Sequence, residues 1–519
     1  MSGIPGEVKL SLPLAYLALA ALTWAASGCG SGGGSGMQPG APPGTPPPPA
    51  GTGLNRVNHI IVVMMENHSF DNYFGALPYA PSTPYHSAAM GCAAGDHSCV
   101  DGLLCSRDAA GGLVCSDSNP QASGAAVMAF HDSSRCVVPD LDHSWPGSHM
   151  EANFSAPNTA LTDPLNDGFI RVNAITKPTS GNATMGFYTQ DDLPFYYDLA
   201  QKFAIDDRYF ASVMGPTLPN RFYFMAATSF GHVDTGDTAP QGGFKPINGT
   251  IFDLLDKAGI AWINYSQDGP QAAAFRAPTG AATDPHFQPV QEFLTNASGS
   301  GALPPVSFVD PAFFGADEND EHPPTDIQRG QAFVARIVNA VRNGPYWQDS
   351  VIFITWDEHG GFYDHVAPPA APQGSARTPD GIFPGQCADL SNPPGSQQPG
   401  GGAGCTSSVP EAGALCPALA SNPDGPYPVD CASFDQLGFR VPFMVVSPFA
   451  KPHYVSHTIG DHTSILAFIE ARFLARAHLT QRDQNADMLG DLFDFDNAPS
   501  LSTSLTQAQL PTVDCTPGQ

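Results

Sequence analysis

VIFITWDEHGGFYDHVAPP, residues Val351 to Pro369, decides the fold. Val351 to Trp356 stay largely apolar without alternating, which predicts a strand buried on both faces inside a parallel sheet. The run ends on two adjacent carboxylates, Asp357 and Glu358. Gly360 and Gly361 follow and let the backbone turn sharply or approach a ligand closely. Acids and glycines at the carboxyl end of a buried strand suit a metal ion or a phosphate; a solvated acidic turn has the same composition.

VNHIIVVMMENHSFDNYFG, Val57 to Gly75, repeats the pattern. His59 to Met65 reads as a second buried strand, and it ends on Glu66, Asn67, His68 and Ser69. Two such strands could bring their oxygen ligands together along one rim of a parallel sheet. Between them, residues 191–210 carry Leu193, Tyr196, Tyr197, Leu199, Ala200 and Phe203 on one side and predict a helix. Met214 to Arg221 reads as a loop feeding a helix, with Thr217 as N-cap and proline in the first turn. A helix over Ile251–Ala258, strands over Ile260–Tyr265 and Val306–Val309, and a helix over Ile327–Val341 give an α/β order. A strand in VPFMVVSPFA after Arg440 and a helix over His457–Phe473, led by Asp461 and His462, complete it.

The amino terminus has the form of an export signal: Lys9, an apolar run from Leu10 to Ala26, then Ser27, Gly28 and Cys29. A membrane anchor is the rival reading, and Ala-Ser-Gly-Cys resembles a lipobox that would make Cys29 a lipid anchor, although Ala26 stands where leucine is usual. Residues 29–54 are a Gly/Ser/Pro-rich tether, 55–498 one catalytic domain with insertions at about 76–140 and 370–436, and 499–519 a polar tail. Cysteines other than Cys29 fall into two groups: Cys92, Cys99, Cys105, Cys115 and Cys136, then Cys387, Cys405, Cys416, Cys431 and Cys515. No CxxC pair suggests zinc, so disulfides of an exported protein are expected. Each group is odd in number, so at least one bridge joins them or reaches Cys515. A net charge of -28 argues against nucleic acid or an anionic membrane surface as the main partner.

Glu66, Asn67, Asp357 and Glu358 are donors for a hard or borderline divalent cation. Thr217 at a helix amino terminus could serve as a phosphoryl-transfer nucleophile or merely as a cap. His143, His286, His322, His359 and His462 offer imidazole near predicted strand ends or loops.

Five stretches, His59–Gly75, Gly215–Phe224, Glu321–Val334, Ile354–Pro369 and Phe439–Phe473, together resemble the bacterial phosphoesterase family of phosphatidylcholine-specific phospholipases C and acid phosphatases. Through its link to the alkaline phosphatase superfamily, the resemblance implies a three-layer α/β/α sandwich around a mostly parallel sheet. It implies that Glu66, Asn67, Asp357 and Glu358 hold a divalent metal ion together with Thr217, the nucleophile. It makes His143 and His322 phosphoryl contacts, with His286 a weaker match, and gives Asp461 and His462 a site-lining place. The implied substrate is a phospholipid or small phosphate ester, with phospholipase C, acid phosphatase and a non-catalytic surface binding protein as the functions to separate. Trp145 and Trp262 are the tryptophans that a choline headgroup could use.

Overall fold

The computed structural model describes residues 52–136, 140–153, 165–276, 284–372, 379–383, 385–391, 432, 434–508 and 515. The predicted leader, the tether, Cys29 and most of the second insertion lie outside them. Among the described residues no helix is long and apolar enough to cross a membrane.

Eight strands form one sheet: β1 (His59–Met65), β2 (Ala204–Asp206), β3 (Trp262–Ser266), β4 (Phe287–Pro289), β5 (Val306–Asp310), β6 (Ser350–Trp356), β7 (Phe443–Val446) and β8 (Tyr454–Ser456). Their order is β4-β3-β5-β1-β6-β7-β2-β8. All pairings are parallel except those of β7, which runs antiparallel to β6 and β2. Every residue of β6 and all of β1 after His59 are buried, which is why both read as unbroken apolar runs.

Helices cover the sheet in two groups. Helices α5 (Thr217–Ala226), α6 (Ile251–Ala258) and α9 (His462–Phe473) pack on one another, whereas α4 (Pro194–Lys202) and α7 (Val290–Thr295) both pack on α8 (Ile327–Arg342). The architecture is the mixed α/β sandwich with a mostly parallel sheet that the sequence implies. Three short helices, α1 (Phe70–Phe74), α2 (Trp145–Ala152) and α3 (Phe169–Thr176), build the side of the molecule near the carboxyl ends of β1 and β6.

Most expected elements fall within two residues of the observed ones, and three differences matter for the site. The helix expected over 191–210 covers only Pro194–Lys202, and the apolar residues after Phe203 enter the sheet as β2. The last predicted helix begins at His462 rather than His457, because the Asp461 side chain caps it and closes a capping box with Ser464. Thr217 is not an N-cap: Pro216 takes that position and Thr217 is the first helical residue, with no side-chain cap bond.

Disulfides join Cys92 to Cys99, Cys105 to Cys115, and Cys136 to Cys515; Cys387 is also disulfide-bonded. The long-range bridge joins the two cysteine groups, as their odd numbers require. Residues 105–128 form two small hairpins, Cys105–Arg107 with Leu113–Cys115 and Ser118–Pro120 with Ala126–Met128. The tail is held to the body by Lys202, Arg342 and Trp347, which donate to the carbonyls of Ser504, Thr503 and Leu501.

Candidate active site

Parallel register sets the site. Met65 pairs with Trp356, so Glu66 and Asp357 leave the sheet side by side, and the Asp357 N–H donates to the Met65 carbonyl at 3.1 Å. Asn67 then turns at φ 64°, a left-handed conformation that asparagine tolerates, and its N–H donates to Asp357 Oδ1 at 3.3 Å. Gly360 lies so near that a Cβ there would stand 2.1 Å from the Asn67 carbonyl oxygen. Only glycine allows this approach.

Helix α5 aims its amino end at the same rim. Asn220 braces the preceding loop: its Oδ1 accepts from Val213 N at 3.0 Å, and its Nδ2 donates to the Gly215 and Pro216 carbonyls at 2.9 and 3.1 Å. That leaves the Thr217 hydroxyl free of capping, and it donates to Glu66 Oε2 at 3.3 Å. One turn on, buried Arg221 bridges Glu66 Oε1 at 2.9 Å and Asp357 Oδ2 at 3.0 Å. Its guanidinium lies 5.1 Å from the Phe313 ring centre.

Two histidines approach from loops. His143 Nδ1 donates to the Leu141 carbonyl at 2.9 Å, which leaves Nε2 3.9 Å from Glu358 Oε1. His322 Nδ1 donates to the Pro323 carbonyl at 2.8 Å, and the two imidazole centres are 6.0 Å apart. Burial opposes charge on His322, but Glu66, Asp140 and Asp320 outweigh it and hold its pKa up at about 9.

The donor set fits a divalent cation. Asn67 Oδ1 and Glu358 Oε1 are buried without hydrogen-bond partners. Burial pushes the Asp357 and Glu358 carboxyls up, each aggravated by neighbouring acids. An unpartnered amide oxygen and crowded carboxylates at one rim are the surroundings that a cation would satisfy.

Glu66, Asn67, Thr217, Asp357, Glu358, His143 and His322 are thus brought together, whereas His286 is not brought to this rim. It stacks on Trp262 at 4.2 Å and pairs with Asp284 at 2.8 Å, beside β3 and β4 at the far edge of the sheet. Trp262 is only 1 % exposed, enclosed there with Phe252. His462 donates from Nε2 to the Asp357 carbonyl at 2.7 Å, and burial holds its pKa down; Asp461 caps α9 and pairs with Arg482.

Several participants carried no local signal. Arg221 reaches acids 155 and 136 residues away. Asp320 accepts the Glu66 N–H through its carbonyl at 2.9 Å. Next to it, buried Glu321 accepts from Tyr196 Oη, Tyr73 Oη and Trp356 Nε1 at 2.6, 2.7 and 2.8 Å, anchoring the loop that carries His322. The run of oxygen-bearing side chains from Asp317 to Glu321 is the sequence feature that marks this loop.

The Phosphoesterase family matches residues 57–475. The chain is 27 % identical over 476 residues to non-specific phospholipase C3 of Arabidopsis thaliana, covering 89 % of this chain and 78 % of that protein. It is 29 % identical over 486 residues to phospholipase C B of Mycobacterium tuberculosis, covering 88 % and 81 %. Among solved structures, murine ectonucleotide pyrophosphatase/phosphodiesterase 5 aligns with a TM-score of 0.31 at 11 % identity, over 58 % of this chain and 95 % of that one. With one family spanning 57–475, and with it both acid-bearing strands, the threonine helix and the histidine loops, the chain belongs to the Phosphoesterase family and is a hydrolase acting on ester bonds.

Proposed function

We propose that the protein is an exported, metal-dependent phospholipase C that cleaves a phospholipid through Thr217. The observation that carries this reading is the Thr217 hydroxyl at the first turn of α5, hydrogen-bonded to Glu66 beside buried oxygen donors that lack partners. Two relatives named phospholipase C support the substrate class. The three disulfides between described cysteines fit an oxidising compartment, and the leader-like segment before Cys29 suits export.

Glu66, Asn67, Asp357, Glu358 and Thr217 would hold the divalent cation, which when bound supplies Lewis acidity toward the nucleophile and the phosphoryl oxygens. Thr217 Oγ1 attacks phosphorus, and its proton passes to Glu66 Oε2. The ester bond to diacylglycerol breaks as His322 Nε2 gives its proton to the departing oxygen. Water then attacks the phosphothreonine, losing a proton to His322 Nε2, while Thr217 recovers its own from Glu66. His143 Nε2, directed toward Glu358, steadies the equatorial oxygens.

Soluble substrates test the class. The protein should hydrolyse p-nitrophenylphosphorylcholine in preference to p-nitrophenyl phosphate, and a chelator should abolish the reaction until metal is restored. Preference for the monoester would replace this reading by an acid phosphatase; hydrolysis of neither would point to a surface binding protein.

The loop after β5 bears on the lipid. Asp268 Oδ2 accepts the N–H groups of Phe313 and Phe314 at 2.8 and 2.9 Å. It holds Phe313 against Arg221 and leaves Phe314 62 % exposed. Phe314→Ala should lower the rate on phosphatidylcholine vesicles roughly five- to tenfold, the effect of losing about 1 kcal/mol of apolar contact. The rate on the soluble diester should stay near wild type, and an equal fall on both substrates would remove Phe314 from any lipid-contacting role.

A further inference from the structure

His359 sits inside the DEHGG sequence but outside the reaction described above, and its surroundings give it work. The Glu358 carboxylate is split between two environments. Its Oε2 is turned inward, accepting the Gly360 N–H at 2.7 Å and lying 3.3 Å from His359 Nδ1. Its Oε1 has no hydrogen-bond partner and faces the rim, toward His143.

Behind Glu358 the contacts continue. His359 Nε2 lies 2.8 Å from Glu151 Oε2, on helix α2, and Glu151 Oε1 accepts from Asn173 Nδ2 at 3.0 Å. Asn173, on α3, uses its Oδ1 to accept the Asp142 N–H at 2.9 Å, beside His143. The connections therefore run from one wall of the rim through the interior and back to the other. Glu358, His359, Glu151 and Asn173 are all buried.

A fully buried glutamate is costly unless something holds it, and here its partners are an amide and an imidazole that flanks a rim carboxylate. A side chain that fixes a ligand's orientation from behind sets how well the ligand binds metal. We propose that Glu151, acting through His359, is the positioning residue that fixes Glu358 Oε1 for cation binding. This rests on the metal-dependent reading above.

The test titrates chelator-treated protein with Mn2+ and with Ca2+ by calorimetry, and records melting temperature with and without metal. Glu151→Gln keeps the shape and replaces the carboxyl group that faces His359 by an amide. Its dissociation constant should rise at least about tenfold, within the range of other outer-shell changes. Its metal-free melting temperature should move little, while the increase on adding metal shrinks. His359→Gln retains a donor toward Glu151 but none beside Glu358, and should weaken metal binding similarly. In the double variant the losses should not add, because both act along one path.

A wild-type dissociation constant in Glu151→Gln would overturn the proposal even if activity fell, as would fully additive losses in the double variant. A lower melting temperature with unchanged metal affinity would make Glu151 merely structural. A wild-type protein that binds neither ion would instead overturn the metal-dependent reading, and this inference with it.

Discussion

Thr217→Ala should lower kcat on p-nitrophenylphosphorylcholine by more than about 10^4-fold, the scale seen when a hydrolase loses its nucleophile. The variant is unusually clean because Thr217 occupies the first helical position and makes no cap bond. Alanine is welcome there, so the change removes the hydroxyl without loosening the helix. Asn220, not Thr217, holds the 213–216 loop. The melting temperature should therefore stay near wild type while turnover disappears, and Thr217→Ser should recover a substantial part of it. A brief reaction of wild type quenched in acid should show phosphate on the peptide containing Thr217. Retention of activity within tenfold by the alanine variant would remove Thr217 as nucleophile.

The contrast between Thr217 and Arg221 shows what a chain discloses before it is folded. Strands β1 and β6 are legible because burial on both faces leaves no room for polar alternation. Their polar ends are legible because acids and an amide break an otherwise unbroken apolar run, although the fold buries them. That these ends are neighbours is not legible from spacing, since 290 residues separate Asn67 from Asp357; the matching polar ends of two buried strands suggested a shared rim, and the family resemblance tied these residues to one metal site. Thr217 read as a cap because threonine before a helix usually is one; the bracing by Asn220 three residues on gave no sequence signal. Arg221 and Glu151 each act through partners far along the chain, and no local pattern marks such a pairing. The helix expected over 191–210 failed for a different reason. Its apolar side merges with the short buried strand beyond Phe203, and neither period dominates where the two meet.

Arg440→Met should destabilise the protein by roughly 3–5 kcal/mol, as expected when a buried ion pair loses one partner. The fully buried guanidinium donates to Asp364 Oδ1 at 2.8 Å, to Asp71 Oδ1 at 3.0 Å, and to the carbonyls of Asp101 and Asp207 at 2.7 and 3.0 Å. It thereby ties α1, the loop after β6, the first insertion and the turn after β2 to one point. His365 completes the network, its Nδ1 2.7 Å from Asp71 and its Nε2 3.3 Å from Asp101. Burial opposes charge on His365, but Asp71 and Asp101 outweigh it and raise its pKa from 6.5 to about 10. A group raised in the folded state stabilises fully below its unfolded value and loses that contribution as pH climbs through the folded one. Wild-type stability, measured by urea unfolding with disulfides intact, should therefore carry a decline between pH 6.5 and 10 of at most about 1.4 kcal/mol per pH unit, and His365→Asn should lack it. The Arg440 variant should respond in the same sense but gain more than wild type on acidification. Asp71 keeps His365, but Asp364 loses the guanidinium that pairs with it and can then be neutralised by protonation, so the deficit should shrink as the medium is made acidic. A deficit independent of pH would mean that Arg440 acts by packing against Phe70, 4.5 Å beneath it, rather than by charge.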